Sequence, residues 1–505
     1  MKRYLPFLTA LLLTASACGP ASNNIPATQT PATLPTSSPS SPTPESIPAT
    51  ETTAPMDTIE PPTAIPPAPT PVPIGINVNS FEQEVYPYQA DGDCSLAEAI
   101  TAAQTFKDID GCVVPLSAAA NVVINLTPGT YTFSEVDTTP LSLNGVALDE
   151  PQPNALPLIS KSVTINGNGS TLRRAPEAPS MRFLALPGFG TLVLNDLTLT
   201  GGDTADQELA DADGGAIQAL GGSVTLNRVS LTGNTAENGG AIEIVGGATV
   251  ILNDSQVSEN IATGEGGGLD VSGTLSLNHS VVSENSAWHT SFGGGGINND
   301  GGEVEITDSR IENNSATEGG GIYNWDESRL TITRSWITGN TASEAETDLP
   351  HGGGGINNIG EAAIVSMTDS FLIGNQAPET TGGGVYNHGF ITIIGSVIAT
   401  NVGGRGGGLF NDTEGELTIS QSCFLENSST QTTPAHADDA IYNVDPEFAL
   451  AVQAADNWWG AADGPGNMGN GSGNTITRNV EYDPALTAPP ALCADGIPPI
   501  PTLVP

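Results

Sequence analysis

Acidic side chains are the residues of this chain best suited to chemistry, because they recur in the loops of a repeated unit. Carboxylates and turn carbonyls together form Ca²⁺ sites, so one interpretation of these loops is a calcium-binding edge. The other interpretation is a solvated row of turns whose negative charge prevents non-specific association. The sequence contains no Asp-rich nonapeptide and no helix–loop calcium motif. We therefore predict that the protein requires no cofactor, and Ca²⁺ binding remains an alternative. The candidate calcium ligands are Glu318, Glu344, Glu346 and Asp348.

A column of aromatic side chains is the second candidate site. Four aromatic residues each follow directly after an aliphatic residue of the repeat, and a tryptophan lies nearby. We expect the column to face outward, where exposed rings could stack on the sugar rings of a ligand. The alternative interpretation is that aromatic residues simply favour strands. The candidate stacking residues are Tyr323, Trp325, Tyr386, Phe410 and Tyr442.

Patterns for catalysis are weak, and we predict no catalytic residue. The adjacent pair Asp438 and Asp439 lacks the Gly-His-Gly and Arg-x-Lys motifs of polygalacturonase-type hydrolases, so a glycosidase acid–base pair is not indicated. The arginines that a lyase would use as a base are scattered over different strands and turns. His289, His351 and His436 lie in loops of coils that are not adjacent. This indicates incidental loop residues and no shared metal ion.

The formal net charge of −43 constrains the partners. Strong negative charge repels nucleic acid and anionic lipid headgroups, so we exclude nucleic acid as a partner. The charge also argues against acidic polysaccharides unless Ca²⁺ bridges the two surfaces. The partners that remain are a membrane, reached through an N-terminal lipid, and a polysaccharide or surface glycan.

A repeat between residues 214 and 445 must position these side chains. Its anchor is a glycine pair followed by an aliphatic residue, and the first anchors are separated by 242−217=25, 269−242=27 and 297−269=28 residues. A fixed period in the twenties is typical of a solenoid. The anchors are Ile217, Ile242, Leu269, Ile297, Ile322, Ile356, Val385, Leu409 and Ile441.

Apolar residues alternate with polar ones inside each unit, for example in 242–244 and 248–252. This alternation predicts three short strands per coil. Because the same order repeats coil after coil, each strand must lie parallel to its copy about 4.8 Å away. A serine column and the asparagines two positions after the later anchors then point inward, where stacked side chains must bond one another. These inward asparagines are Asn299, Asn324, Asn358, Asn387, Asn411 and Asn443. A second asparagine recurs after each anchor as a marker of the repeat, at Asn234, Asn260, Asn285, Asn314, Asn340, Asn375, Asn401 and Asn427.

These motifs resemble the right-handed parallel β-helix family. The Gly-Gly-Ala-Ile anchors at 239–242 and the later asparagines are similar to the repeats of polymorphic outer-membrane proteins. The resemblance covers roughly half of the chain and implies an all-β, right-handed parallel β-helix with three strands per coil. It carries little information about activity, because this fold supports lyases, hydrolases and adhesins alike.

The N-terminus predicts export and anchoring. Lys2 and Arg3, an apolar run and small residues form a secretory signal over residues 1–17. The cysteine that follows resembles a bacterial lipobox, which implies lipidation of Cys18; an ordinary signal peptide with an incidental cysteine is the alternative. Residues 18–74 are rich in Pro, Thr and Ser. We interpret them as an extended tether without a core.

Residues 75–120 predict a cap for the first coil. Ser95 and Glu98 form a capping box that starts an amphipathic helix. The segment resembles the Cys-Ser-Leu-Arg-Glu-Ala domain found before surface β-helices, although Ala97 replaces the arginine of that family. Two cysteines bracket the helix, and with the first cysteine assigned to the lipid, two others remain as a second pair. The predicted disulfides are Cys94–Cys112 and Cys423–Cys493.

The remaining segments complete the predicted organisation. Irregular first coils occupy 121–213, a C-terminal cap occupies 446–495, and a Pro-rich tail occupies 496–505. The cap contains Asn-Trp-Trp-Gly, which resembles a terminal segment of surface β-helices, and its tryptophans are predicted to plug the end of the core. A solenoid needs such covers at its apolar ends.

The leading hypothesis is a monomeric, exported lipoprotein on a bacterial cell membrane or surface. It would work as an adhesion, glycan-binding or structural envelope module without catalysis. The competing hypothesis is a polysaccharide lyase or glycoside hydrolase with a divergent, pectate-lyase-like site. A third is a passive spacer of the envelope.

Overall fold

The computed structural model describes residues 75–115, 122–138, 142–143, 146–147, 153–205, 212–288, 293–343, 351–431, 440–444 and 450–499. The predicted signal peptide, Cys18 and the tether lie outside these residues. All described residues belong to the unit formed by residues 71–505. No helix among the described residues is both long enough and apolar enough to cross a membrane.

Parallel strands wind into a β-helix in which each strand pairs with its copy in the next coil. The register joins anchor to anchor, as in Ile242 with Leu269 and Leu269 with Ile297. Within the described part of the chain, thirty-two strands form one sheet that wraps around the core, and eight strands form a second sheet. The prediction of a parallel β-helix is confirmed, because the recurring anchors place equivalent strands of successive coils side by side.

The large sheet contains three strands per coil, as predicted, which we call the first, second and third columns. First-column strands are Leu184–Leu186, Ile217–Ala219, Ile242–Ile244, Leu269–Val271, Ile297–Asp300, Ile322–Trp325, Leu409–Asn411, Ile441–Asn443, Pro465–Asn467 and Gly473–Ile476. Second-column strands are Ile76–Val78, Val122–Leu126, Ala248–Asn253, Thr274–Asn278, Glu303–Thr307, Arg329–Thr333, Glu416–Ser420, Val452–Gln453 and Val480–Glu481.

Third-column strands follow the bend after the second column. They are Thr130–Phe133, Gln256–Ser258, Val281–Ser283, Arg310–Glu312, Trp336–Thr338, Phe371–Ile373, Val397–Ala399 and Cys423–Leu425. Some strands continue through a bend without interruption. Ile356–Thr368 and Val385–Ile394 span the first and second columns, and Ser162–Arg174, Thr191–Thr200 and Gly222–Thr232 span the second and third.

The structure adds a fourth, shorter strand to each regular coil, which the prediction of three strands per coil lacked. These strands follow the buried asparagines and form a sheet of their own. Most of them are two residues long, which is too short for an alternating pattern to show in the sequence. They are Thr235–Ala236, Ile261–Ala262, Ser286–Ala287, Ser315–Ala316, Thr341–Ala342, Gln376–Thr381, Val402–Arg405 and Ser428–Ser429. Outside the coils, Ser142–Leu143 pairs antiparallel with Val146–Ala147.

The glycine pairs of the anchors are required by the close stacking of coils. Gly319 has φ of 58°, a left-handed conformation that side chains rarely adopt. The next residue, Gly320, packs against the coil above, where an added Cβ would lie 2.4 Å from the carbonyl carbon of Thr341. Any side chain there would force two coils apart, so the pattern Gly-Gly before the anchor sets the corner of the β-helix.

Asparagine side chains form hydrogen-bonded ladders inside the coil, as predicted for the column that begins at Asn299. The column that begins at Asn234, which the sequence showed only as a recurring marker, forms another. Asn314 Nδ2 donates to Asn340 Oδ1 at 3.0 Å, and Asn340 Nδ2 donates to Asn375 Oδ1 at 3.0 Å. The later column behaves alike, with Asn324 Nδ2 donating to Asn358 Oδ1 at 2.8 Å. These bonds satisfy amides that would otherwise be costly to bury.

The serine column bonds in a different way. The backbone N–H of Ser280 donates to the Oγ of Ser309 at 3.0 Å, so each hydroxyl accepts a main-chain proton of the preceding coil. A third asparagine ladder, absent from the sequence analysis, follows the ends of the second-column strands. There, Asn253 Nδ2 donates to Asn227 Oδ1 at 2.9 Å.

The N-terminal cap has the predicted structure. The helix α1, Leu96–Thr105, starts with a complete capping box between Ser95 and Glu98. Its buried face includes Leu96, Ala99, Ile100 and Ala103, and the helix packs on the first strands of the second column. The disulfide Cys94–Cys112 closes the loop around it. The predicted bridge between the two cysteines that bracket the helix is thus confirmed.

The C-terminal end is closed by one tryptophan of the predicted pair. Trp459 is fully buried and stacks on Phe424, with ring centroids 4.6 Å apart. The backbone of Trp458 pairs with Cys423, and its side chain packs on the outer face of the coil beside the predicted disulfide Cys423–Cys493, which is present. That bridge fastens the tail, including the 3₁₀ turn Ala491–Cys493, to the outer face of the third column.

Removing one amide of the ladder tests its contribution to stability. Asn340 makes two side-chain donations and accepts two, and Asn340→Ala would leave buried partners unpaired. We expect the free energy of unfolding in urea to fall by about 3 kcal/mol. Asn470→Ala removes the same side chain from an exposed position and should cost less than about 0.5 kcal/mol. Equal effects of the two substitutions would refute a stabilising ladder.

Candidate ligand site on the first strand column

Two rows of side chains point away from the core along the first column. We call the inner row the residues that directly follow the anchors: Gln218, Glu243, Asp270, Asn298, Tyr323, Asn357, Tyr386, Phe410 and Tyr442. We call the outer row the residues two positions later, which face the same side because strand side chains alternate. The outer row is Asp300, Trp325, Ile359, His388 and Asp412.

The aromatic residues of the inner row are not exposed, and this part of the prediction was wrong. Tyr323, Tyr386 and Phe410 are only 2%, 1% and 4% exposed. The spacing of the coils lets the rings stack on one another: Tyr386 and Phe410 have centroids 5.5 Å apart, and Phe410 and Tyr442 5.1 Å apart. Ring faces that stack on each other cannot also stack on a ligand.

Trp325 is the predicted stacking residue that the structure leaves open. Its side chain lies in the outer row and is 44% exposed. The difference from Tyr323, two residues earlier, is one of position. Trp325 ends its strand at the turn into the second column, whereas Tyr323 lies next to the loop residues that precede the glycines.

Residues that precede the first anchor glycine reach over the inner row of the next coil. Glu265 Oε2 accepts a hydrogen bond from Asn298 Nδ2 at 3.0 Å, and Glu318 Oε2 accepts one from Asn357 Nδ2 at 3.2 Å. The Arg405 guanidinium similarly lies 5.9 Å from the ring centroid of Tyr442. This recurring contact covers the inner row.

Glu318 therefore differs from the exposed calcium ligand that the sequence suggested. It is 2% exposed, and its described partner is an amide. No group of three or more His, Cys, Asp and Glu among the described residues is placed to hold a metal ion. The other candidate ligands, Glu344, Glu346 and Asp348, lie outside the described residues.

Burial shifts the titration of two carboxyl groups along the inner row. It raises the pKa of Glu318 to about 7, even though the hydrogen bond from Asn357 lowers it. Burial also raises the pKa of Asp270 well above its ordinary value, and the neighbouring Glu265 and Glu243 carboxylates add to the effect. Glu318 thus exchanges its proton near neutral pH, which is a property of many functional carboxyl groups.

A tyrosine beneath the outer row fixes the position of a carboxylate. The Tyr386 hydroxyl donates to Asp412 Oδ2 at 2.6 Å, and His388 Nδ1 lies 3.3 Å from the same oxygen. On its other side, His388 Nε2 lies 3.5 Å from Glu414 Oε2. Burial and the Asp412 charge raise the pKa of Tyr386, so its phenol keeps the proton that orients Asp412.

His351 also belongs to this cluster, although the sequence indicated an incidental loop residue. Its ring lies edge-on against Tyr386, with centroids 5.1 Å apart. Burial lowers the pKa of His351, so the imidazole is neutral at pH 7. His289 and His436 lie outside the described residues. His388, Asp412 and Glu414 were missed by the sequence analysis, but their offset from the anchors Val385 and Leu409 was a usable signal.

Two solved structures resemble the fold at low sequence identity. The A-module of the mannuronan C-5 epimerase AlgE6 from Azotobacter vinelandii is 13% identical, with a TM-score of 0.41 over 78% of this chain and 94% of that one. The pectate lyase Pel9A is 13% identical, with a TM-score of 0.31 over 81% and 80%. No protein-family model matches the chain. No curated protein matches it either.

The raised pKa of Glu318 predicts a pH-dependent stability. Between pH 4.5, the ordinary pKa of a Glu side chain, and about 7, the folded chain keeps this proton and the unfolded chain releases it. The contribution of Glu318 to the free energy of unfolding therefore falls as the pH rises through this window and is constant above it.

Glu318→Gln removes this titration and leaves the others in place. We expect the stability of the wild type relative to Glu318→Gln, measured by urea unfolding, to fall between about pH 4.5 and about 7. Other carboxyl groups with a raised pKa, such as Glu84, titrate in both proteins, so their contributions to the free energy of unfolding cancel in the comparison. A difference that stays constant across this range would show that Glu318 titrates normally.

Proposed function

We propose that this chain is a glycan-binding protein of a bacterial cell surface and that the outer row of the first column is its sugar site. One observation carries the proposal. The exposed ring of Trp325 lies in the same row as the polar groups of His388 and Asp412. Sugar rings bind to aromatic faces and donate hydroxyl protons to carboxylates.

The dimensions of the row suit an extended ligand. Trp325 and His388 are two coils apart in register, which corresponds to about 10 Å. The half-buried Ile359 lies between them. Asp412 is held by Tyr386 before any ligand arrives, and a group that is already ordered loses less entropy on binding.

Localisation and anchoring are part of the same proposal. We propose that residues 1–17 direct export, that Cys18 carries a lipid and that residues 18–74 hold the β-helix away from the membrane. The two disulfides support an oxidising location outside the cytosol. A monomer without a required cofactor is proposed, and Ca²⁺ stays open as an additional ligand.

A matched pair of tryptophan substitutions tests the sugar site. Trp325→Ala should weaken binding of the recognised glycan by about ten-fold or more, because an aromatic face contributes on the order of 1–2 kcal/mol. Trp288→Ala removes a tryptophan that is 65% exposed next to the short strand Ser286–Ala287, away from the outer row. It should leave the affinity unchanged.

Binding would be screened on an array of neutral and charged glycans and then measured by calorimetry. Circular dichroism of both variants would confirm that the β-helix is intact. The proposal fails if the two tryptophan variants bind equally well, or if no glycan is retained by the wild-type chain.

A second candidate function, cleavage of a glycan, is favoured by the inner row. Glu318 keeps its proton up to about pH 7, as a general acid must. A second carboxylate, Asp412 of the outer row, accepts a hydrogen bond from Tyr386, which is the inner-row neighbour of Asn357, the partner of Glu318. In a glycosidase, the acid protonates the leaving oxygen while the second carboxylate assists a water molecule or attacks the sugar.

Product formation separates the two functions. If the chain cleaves glycans, incubation with neutral and acidic polysaccharides, with and without Ca²⁺, should release new reducing or unsaturated ends. Glu318→Gln should then lower the rate by at least about a hundred-fold, whereas Glu305→Gln, on the exposed face of the second column, should not. Binding without products from any polymer would exclude cleavage and leave the binding proposal standing.

A further inference from the structure

Charge around the outer row is almost entirely of one sign. The turn after Trp325 contains the exposed Asp326 and Glu327, and the turn of the next coil contains the exposed Glu361. The two turns touch, since the backbone N–H of Asp326 donates to the carbonyl of Ile359 at 2.9 Å. Asp300 precedes Trp325 in the row, and Asp412 and Glu414 flank His388 at its other end.

Basic residues are scarce on the same coils. Between residues 300 and 412, which span the outer row, the sequence contains four arginines and no lysine. Arg310 lies 3.3 Å from Glu312 Oε1. Arg405 donates to Gln431 Oε1 and lies over the ring of Tyr442.

Arg334 is bound by both oxygens of Asp308, at 2.8 and 2.7 Å. Arg329 starts a second-column strand, where it lies in register with Glu303. A ligand with carboxylate or sulfate groups would therefore meet mainly carboxylates along the row.

We propose that the outer row recognises a glycan that bears protonated amino groups. Ammonium groups are attracted to the π face of an exposed tryptophan and to carboxylates. Trp325 and the neighbouring Asp300 supply both features at one end of the row, and Asp412 and Glu414 supply carboxylates three coils further along, where a second amino group of the same chain would lie. This inference rests on the proposed glycan-binding function and narrows its ligand to an amino sugar.

Asp412 is the carboxylate best prepared for an ammonium group. The hydroxyl of Tyr386 donates to one of its oxygens from below, and the side chain is partly exposed from above. Hydrogen bonds to a charged group are the stronger kind, so the Tyr386 bond keeps the carboxylate oriented without neutralising it. Glu414, which is more exposed, adds negative charge beside it.

Three matched tetrasaccharides test the inference with the full-length chain. They are a β-1,4-linked glucosamine tetramer, its fully N-acetylated form and the corresponding glucose tetramer. Calorimetry at about pH 6, where the amines are protonated, and about 0.15 M salt, where distant charges are screened, would compare them. We expect the glucosamine tetramer to bind about ten-fold more tightly than the other two.

Variants distinguish this site from general attraction to an acidic protein. The double variant Asp412→Asn/Glu414→Gln should reduce the preference to about two-fold, and Trp325→Ala should weaken binding of all three tetramers. Glu305→Gln removes one exposed carboxylate from the second column and should leave the preference intact. Circular dichroism would confirm that each variant is folded.

The outcomes separate the inference from the function on which it rests. If the three tetramers bind equally, the amino-sugar inference is wrong and glycan binding stands. A preference that falls as much in Glu305→Gln as in the double variant reflects net charge alone and also overturns it. If neither these tetramers nor any other glycan binds, both the inference and the proposed function fail.

Discussion

The hydrogen bond between identical side chains of successive coils is the constraint on which this structure depends. Asn340 bonds Asn314 below it and Asn375 above it, and the serine column adds main-chain donors to the same pattern. These bonds form only when coils are in register, because a shift of one residue would place an amide against an aliphatic side chain. The main-chain hydrogen bonds between parallel strands also require this register. The ladders add specificity at the bends, where strand pairing is interrupted.

Much of the architecture could be predicted from the repeat. Gly-Gly before each anchor, alternating apolar residues and the recurring asparagines fix the coil, and the capping box at Ser95 fixes the helix that covers its first end. Both disulfides followed from the number of cysteines and the expected export. The fourth strand could not be predicted, because Thr341–Ala342 and most of its copies contain only two residues and show no periodicity. Trp459 is buried in the core, whereas Trp458 packs on the outer face. This difference depends on where the C-terminal tail packs on the third column, which the sequence did not show.

The candidate site was less predictable, and the reason is physical. Sequence periodicity shows that Tyr386 points away from the core, but it does not show what lies over it. In the structure, residues before the glycines cover the inner row, and neighbouring rings cover each other. Outward direction and exposure are therefore different properties in a solenoid. The cluster of His351, His388 and Asp412 comes from three coils, whose side chains meet only after the register of those coils is known.

The corner glycines and the ladders also separate the spacing of the site from the lengths of the loops. More residues of the sequence separate Thr341–Ala342 from the following anchor, Ile356, than separate Ser315–Ala316 from Ile322. Trp325 and Ile359 nevertheless remain direct neighbours. Evolution can thus lengthen or shorten a loop without moving the groups that a ligand would contact. Gain or loss of a whole coil between Trp325 and Asp412 would instead change their separation by one strand spacing, about 4.8 Å. Duplication of coils is then a discrete way to alter the length of ligand that such a surface fits.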